Sequence, residues 1–202
     1  MKKELIKILP GSLICLLILF SACQKKETSE GYDILNFSDE TTAAADLVAS
    51  ANEDLNKIKV MYKKNEYQLD ELKTAMNDKD IEKVKKITDD LVYVLNDGMG
   101  LGESAVNKIE QAEAMNVNAD FKEYLDIKAQ SLRKQMEAFE NRRQAARLLR
   151  DSFGTSDPKA IEKSKEGFKE KEEAFQNTIE EARKISKKAD DLAKETSKKT
   201  NQ

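Results

Sequence analysis

An apolar period of 3.6 residues runs almost without interruption from Asp39 to Leu192, and it constrains the fold more than any other feature of this sequence. Apolar side chains three or four residues apart share one face of a helix, so the pattern is typical of long amphipathic helices. Pro158 is the single proline in that stretch. The sequence therefore predicts an all-α protein.

Breaks in the apolar stripe predict four helices. The first is expected to end near Asn77 and Asp78, and the second near Asn116. Gly154 is expected to cap the end of the third helix, because glycine is favoured just past a helix C-terminus. The fourth is expected to begin at 156–158, where a cap residue precedes a proline in the first turn.

The predicted helices are similar in length, and each would measure roughly 55 Å at about 1.5 Å per residue. Short connections force neighbouring helices to run antiparallel. We therefore expect an up-down-up-down four-helix bundle of long antiparallel helices over residues 39–197. Residues 198–202 are expected to form a frayed tail.

The first residues have the layout of an export signal. Lys2, Lys3 and Lys7 are followed by an apolar run that ends at Phe20, too short to cross a bilayer as a helix of roughly 20 residues. The run leads into Leu19-Phe20-Ser21-Ala22-Cys23, which resembles the lipobox of bacterial lipoprotein precursors. Residues 1–22 are thus interpreted as a lipoprotein signal peptide.

The resemblance implies that Cys23 becomes a lipidated N-terminus after cleavage behind Ala22. Acyl chains such as palmitate would then hold the protein on a membrane, since two or more chains anchor stably. Residues 23–38 would form the acylated cysteine and a flexible tether. Gln24 rather than aspartate follows the cysteine, and in a host with two membranes the resemblance favours the outer one.

The composition excludes several kinds of chemistry. The chain has no histidine, which removes the usual general bases and a common metal ligand. Its two cysteines, Cys15 and Cys23, lie in the signal peptide and at the lipidation site. We therefore expect no enzyme, no metal and no cofactor. A formal charge of −3 with interspersed signs also argues against nucleic-acid binding.

Glycines at alternate positions, Gly98, Gly100 and Gly102, interrupt the stripe of the second helix. Each costs a helix about 1 kcal/mol relative to alanine. We expect the helix to continue, with Gly98 and Gly102 leaving a groove at mid-bundle. The Phe175 ring could fill this groove, or the groove could be a small ligand cavity. The cavity would be lined by Tyr62, Gly98, Met99, Gly102, Gln135 and Phe175.

Arginines are concentrated in the third helix, and Arg143, Arg147 and Arg150 share one face there. Arginine is preferred over lysine for bidentate ion pairs and anion sites. An antiparallel count places Arg143 near Asp89 or Asp90, which predicts a structural ion pair. The alternative is a site for an anionic ligand.

A stable bundle on a lipid anchor is sufficient for a protein-interaction or scaffold module in the cell envelope, and this is the function the sequence predicts. The alternative is a small-ligand-binding lipoprotein that uses the cavity at Gly98 and Gly102. The expected partners are the membrane, through Cys23, and another protein.

Overall fold

The computed structural model describes residues 40–65, 67–153, 155 and 157–200, with side chains described as far as Thr196. Five helices follow one another: α1 Glu40–Asn65, α2 Gln68–Asp78, α3 Ile81–Ala114, α4 Ala119–Phe153 and α5 Pro158–Thr200. The predicted all-α bundle is confirmed. The signal peptide, Cys23 and the tether lie outside the described residues, as does Gly154.

The prediction of one continuous first helix is wrong, because the chain forms two helices there, α1 and α2. The Asn65 side chain donates to the Met61 carbonyl at 2.8 Å, and such local bonds compete with helix continuation. Tyr67 precedes α2 without a side-chain capping bond. The apolar stripe is interrupted between Tyr62 and Leu69, which are two helical turns apart. Burial of apolar side chains therefore does not favour one continuous helix over that stretch.

Side-chain caps fix where the other helices begin. The Lys83 amide donates to Asp80, the Phe121 amide to Asn118 and the Lys159 amide to Asp157, each at 2.8–3.0 Å. Each acceptor satisfies an amide that the first helical turn leaves unpaired. The expected start of the fourth helix is confirmed at Pro158, and the expected helix end near Asn77 and Asp78 is confirmed by α2, which ends at Asp78.

The last helix is longer than predicted. It continues as far as Thr200, so the tail expected from residue 198 is helical at its start. In the part of the chain that the structure describes, no helix is both long and apolar enough to cross a membrane.

Helices α1 and α2 both pack on α3, α3 packs on α4, and α4 packs on α5. The backbone amide of Asn116 donates to the Glu40 carboxylate, so the start of α1 lies beside the α3–α4 turn. Ser131 bonds the Ala182 carbonyl at 2.9 Å and Arg142 bonds Glu172 at 2.8 Å, which fixes α4 antiparallel to α5. Neighbouring helices therefore alternate in direction along the whole bundle.

The apolar interior consists of two separate cores. The first core packs α1, α3, α4 and α5 around residues such as Ile58, Ile109 and Phe139. The second core packs α2, α3 and α4 around residues such as Leu72 and Leu149, with Ile161 and Phe168 of α5 against it. The α1–α2 break, the glycine segment of α3 and Arg142 of α4 all fall between the two cores along their helices.

Candidate functional site

The glycine segment is a continuous part of α3, as predicted. Gly98 and Gly102 are buried and Gly100 is exposed. A methyl group added at Gly102 would overlap the sulfur and terminal methyl of Met136, so this core side chain already occupies the space above the glycine. At Gly98 the nearest side-chain atom, Cε2 of Tyr62, lies 4.0 Å from the same added methyl group. Met136 and Tyr62 thus fill the predicted groove.

An aromatic layer crosses the bundle at this level. The rings of Tyr62 and Phe139 stack with centroids 5.1 Å apart, and the Phe139 and Phe175 centroids are 6.5 Å apart. Counting residues outward from the turns places Ile58, Gly98, Gln135 and Phe175 in one layer. The observed layer uses Tyr62 and Phe139, one turn further along α1 and α4, because loop lengths alone do not fix register to within a turn.

The remaining predicted cavity residues lie outside that layer. The Gln135 amide is buried and reaches the Ser131 hydroxyl at 3.4 Å. Met99 is half-buried and packs against the first core. Of the other predicted cavity residues, Tyr62, Gly98 and Phe175 lie at the aromatic layer and Gly102 lies against Met136.

A buried ion pair completes the aromatic layer, and sequence reasoning missed it. The Arg142 guanidinium donates to both carboxylate oxygens of Glu172, at 3.0 and 2.8 Å. Its carbon lies 3.5 Å from the centroid of the Phe175 ring, a cation–π contact. The Arg142 side chain is 7% exposed and that of Glu172 is 22% exposed. Arg142 continues the stripe of Gln135 and Phe139, and this spacing was the signal for a buried arginine.

The Tyr62 hydroxyl faces this polar pair without a bond of its own. It is buried and has no hydrogen-bond partner among the residues that the structure describes. Burial raises the pKa of the Tyr62 hydroxyl well above its usual range, with the Arg142 charge opposing that shift and the Glu172 charge adding to it. The hydroxyl is therefore neutral at physiological pH.

The predicted arginine face does not converge on one point. Arg143 donates to Asn96 at 3.0 Å and pairs with Glu140 at 2.5 Å, so the expected pairing with Asp89 or Asp90 is wrong. Asp89 lies 3.8 Å from Arg150, two turns further along α4. Arg150 also bonds Asp151 at 2.9 Å.

The third member of that face, Arg147, is half-buried and forms no ion pair with any residue that the structure describes. Carboxylates beside Arg143 and Arg150 already neutralise the other two arginines. The arrangement is that of separate structural ion pairs along the α3–α4 seam.

A second buried polar cluster joins α1 to α3. The Asp54 carboxylate is 5% exposed and accepts hydrogen bonds from Lys108 at 2.5 Å, Ser104 at 2.9 Å and Lys57 at 3.1 Å. Burial alone would raise the pKa of Asp54, but the bonds and the charge of these donors outweigh burial, and the pKa lies below its usual value. Asp54 is thus ionised in the folded protein at neutral pH.

Comparison with known proteins gives no relatives. No family model matches the chain, and no curated protein or solved structure is significantly similar to it. Among the described residues, no three acidic, cysteine or histidine side chains are grouped so that they could hold a metal ion.

Three glycine-to-alanine substitutions test how the groove is filled. Gly100→Ala and Gly98→Ala are each expected to raise the free energy of unfolding by about 0.5–1 kcal/mol, because alanine restricts the unfolded chain and meets no clash here. Gly102→Ala is expected to lower it by about 1 kcal/mol, because Met136 must move. Urea unfolding measures all three. An equal gain at all three positions would show that Met136 does not occupy the groove.

Proposed function

We propose that this chain is the precursor of a lipid-anchored envelope protein whose bundle acts by binding another protein. The observation that carries the proposal is Leu19-Phe20-Ser21-Ala22-Cys23, placed directly after a basic and then apolar segment. Its resemblance to a lipobox assigns Cys23 as the attachment point. In a host with two membranes, Gln24 after the cysteine favours the outer membrane.

Charged groups inside the bundle are used in contacts between helices, which supports a function carried out at the exposed surface. Arg142 and Glu172 satisfy each other, and Asp54 is satisfied by its three donors. Each of these groups holds helices together, and Met136 and the stacked rings of Tyr62, Phe139 and Phe175 pack at the level of the predicted cavity. A rigid bundle of this kind presents its exposed helix faces to partners.

The directions of the helices indicate which end of the bundle would lie near the membrane. The start of α1 and the α3–α4 turn lie at one end of the bundle, and the α2–α3 turn lies at the other. Helix α1 is roughly 39 Å long and α2 roughly 17 Å long at about 1.5 Å per residue. With Cys23 in the membrane, the end near Glu40 is proximal, and the α2–α3 turn is held furthest from the bilayer.

Paired cysteine substitutions test the anchor in the full chain expressed in a bacterium. Cys23→Ser is expected to block acylation and processing behind Ala22, so that the protein accumulates at precursor size with residues 1–22 still attached. Cys15→Ser is the matched control, because this cysteine lies in the segment to be removed, and it should leave acylation and processing unchanged. Mass spectrometry of the mature N-terminal peptide is expected to show acyl chains on Cys23.

Processing of Cys23→Ser to the same mature size as wild type, or an unmodified Cys23 in the wild-type mature protein, would contradict the anchor. Protease treatment of intact and lysed cells then locates the bundle. Loss of the protein in intact cells places the partner outside the cell, whereas loss only after lysis places it in the periplasm.

A further inference from the structure

Exposed aromatic and aliphatic side chains are concentrated on one face of the bundle. Among the described residues, the large hydrophobic side chains most exposed to solvent are Tyr93 at 68%, Tyr67 at 60%, Val60 at 46% and Leu148 at 40%. Leu148 belongs to α4. Val60 belongs to α1 and Tyr93 to α3, whereas Tyr67 lies between α1 and α2.

The register between α1 and α3 brings these three residues together. Tyr62 lies against Gly98, and Asp54 is bonded to Ser104 and Lys108. The antiparallel course of the two helices then puts Val60 at the level of Gly100 and the end of α1, at Asn65, near the level of Tyr93, with Tyr67 just beyond that end. Tyr93 and the exposed Gly100 are seven residues apart, two helical turns, so they lie on the same outer line of α3.

Charges flank this line with opposite signs on the two helices. Lys57 and Lys64 are exposed on α1, and Asp97 and Glu103 are exposed on α3. Lys64 lies at the level of Asp97, and Lys57 at the level of Glu103. Within the part of the chain that the structure describes, neither Lys64 nor Asp97 forms an ion pair. We define these four residues, together with Val60, Tyr67, Tyr93 and Gly100, as the α1–α3 face.

We infer that the α1–α3 face is an interface between two copies of this chain, related by a two-fold axis parallel to the helices. Such an axis places α1 of one copy opposite α3 of the other without changing the level of any residue. Lys64 of each copy then meets Asp97 of its partner, Val60 meets Gly100, and Tyr67 lies near Tyr93. A closed two-fold dimer uses the same patch on both copies, as this pattern requires.

The charge pattern selects this axis over its alternative. A two-fold axis across the helices would set the basic α1 face against its own copy and the acidic α3 face against its own copy. Like charges placed opposite each other disfavour an interface and suppress that pairing. The apolar centre spans only about two turns of each helix, so the complex belongs among small, reversible interfaces.

The axis also keeps both N-termini at the same end of the dimer. Two copies anchored in one membrane can therefore pair side by side without bending the tether. The proposed dimer is argued from the α1–α3 face alone and does not depend on the lipid anchor. Evidence against the anchor would therefore leave the dimer untouched, and evidence against the dimer would leave the anchor untouched.

Charge reversal distinguishes contact between copies from attraction within one copy. The full chain, purified in a non-ionic detergent, is examined by sedimentation equilibrium from about 1 μM to 1 mM, a range that covers micromolar dissociation constants. Wild type is expected to form dimers. Lys64→Glu alone and Asp97→Lys alone are each expected to weaken the dimer by about tenfold or more, because each places like charges together twice per dimer.

Mixing the two variants is the decisive measurement. In a mixed dimer, the glutamate introduced at position 64 of one copy would face the lysine introduced at position 97 of the other. The native Lys64 and Asp97 would face each other at the second contact. An equimolar mixture is therefore expected to recover dimers at concentrations where each variant is monomeric.

Controls separate this interface from general charge effects. Lys163→Glu and Glu166→Lys reverse exposed charges on α5 and are expected to leave the dimer unchanged. Tyr93→Ala tests the apolar centre and is expected to weaken the dimer at an unchanged melting temperature.

Three results would overturn the inference. Wild type could remain monomeric up to about 1 mM, the single variants could dimerise as well as wild type, or the mixture could stay monomeric. The first would leave the α1–α3 face to a different protein, the second would place any dimer contact elsewhere on the bundle, and the third would show that Lys64 and Asp97 do not meet between copies.

Discussion

Replacing Glu172 by Ala is expected to lower the free energy of unfolding by roughly 3 kcal/mol, since breaking a buried ion pair typically costs about 3–5 kcal/mol. The Arg142 guanidinium would remain, only 7% exposed and without its carboxylate. Glu172 retains some access to solvent, which places the expected loss at the low end of that range. The Phe175 ring attracts the guanidinium but cannot accept its two hydrogen bonds.

A double substitution separates the cost of an orphaned charge from the value of the pair. Arg142→Met combined with Glu172→Leu is expected to unfold within about 1.5 kcal/mol of wild type, because apolar side chains of similar volume often replace a buried pair without loss. Urea unfolding at neutral pH compares the single and double variants. A double variant as unstable as Glu172→Ala would mean that the pair itself contributes most of the stability.

The second large effect is expected at Asp54, where Ala should lower the free energy of unfolding by about 2 kcal/mol at pH 7. The substitution removes the acceptor of three hydrogen bonds and leaves the Lys108 ammonium beside a buried position. Hydrogen bonds to charged groups contribute about 1.5–3 kcal/mol. Asp46→Ala on the exposed face of α1 is the matched control and should change stability by less than about 0.5 kcal/mol.

The contribution of Asp54 to the free energy of unfolding should decrease as the pH is lowered. The pKa of Asp54 in the folded protein lies below its ordinary value of 3.8, so the folded state releases this proton more readily than the unfolded state. The contribution of Asp54 is therefore complete above pH 3.8 and is lost as the pH falls through the lower folded pKa. Unfolding measured from pH 6 to pH 2 should show wild type and Asp54→Asn converging at the acid end; curves that stay parallel would contradict the ionised state.

The apolar period of 3.6 residues was enough to predict the helices, because each helix must bury its apolar stripe whichever helices it packs against. The caps at Asn118 and Asp157 act within three residues of sequence, so they too could be anticipated. The break after Asn65 was missed because a long stripe elsewhere suggested one continuous helix. The gap in core positions between Tyr62 and Leu69 was the local signal for it.

The buried polar groups could not be assigned from sequence because their partners are distant along the chain. Asp54 is separated from Lys108 by 54 residues and Arg142 from Glu172 by 30 residues. Pairing them requires the register of two helices to within one turn, and counting from loops gives less than that. The same uncertainty produced the wrong partner for Arg143, which bonds Asn96 instead of Asp89 or Asp90.

The order in which the helices pack has a kinetic consequence. When α1 and α2 are counted together, each helix lies mainly against the next one along the chain, and the connections between helices are short. Closing such hairpins costs little loop entropy, and proteins dominated by local contacts fold in microseconds to milliseconds. The α4–α5 hairpin needs no earlier helix to bring its own two apolar stripes together. The apolar stripes are therefore covered soon after they appear, which limits the time available for aggregation.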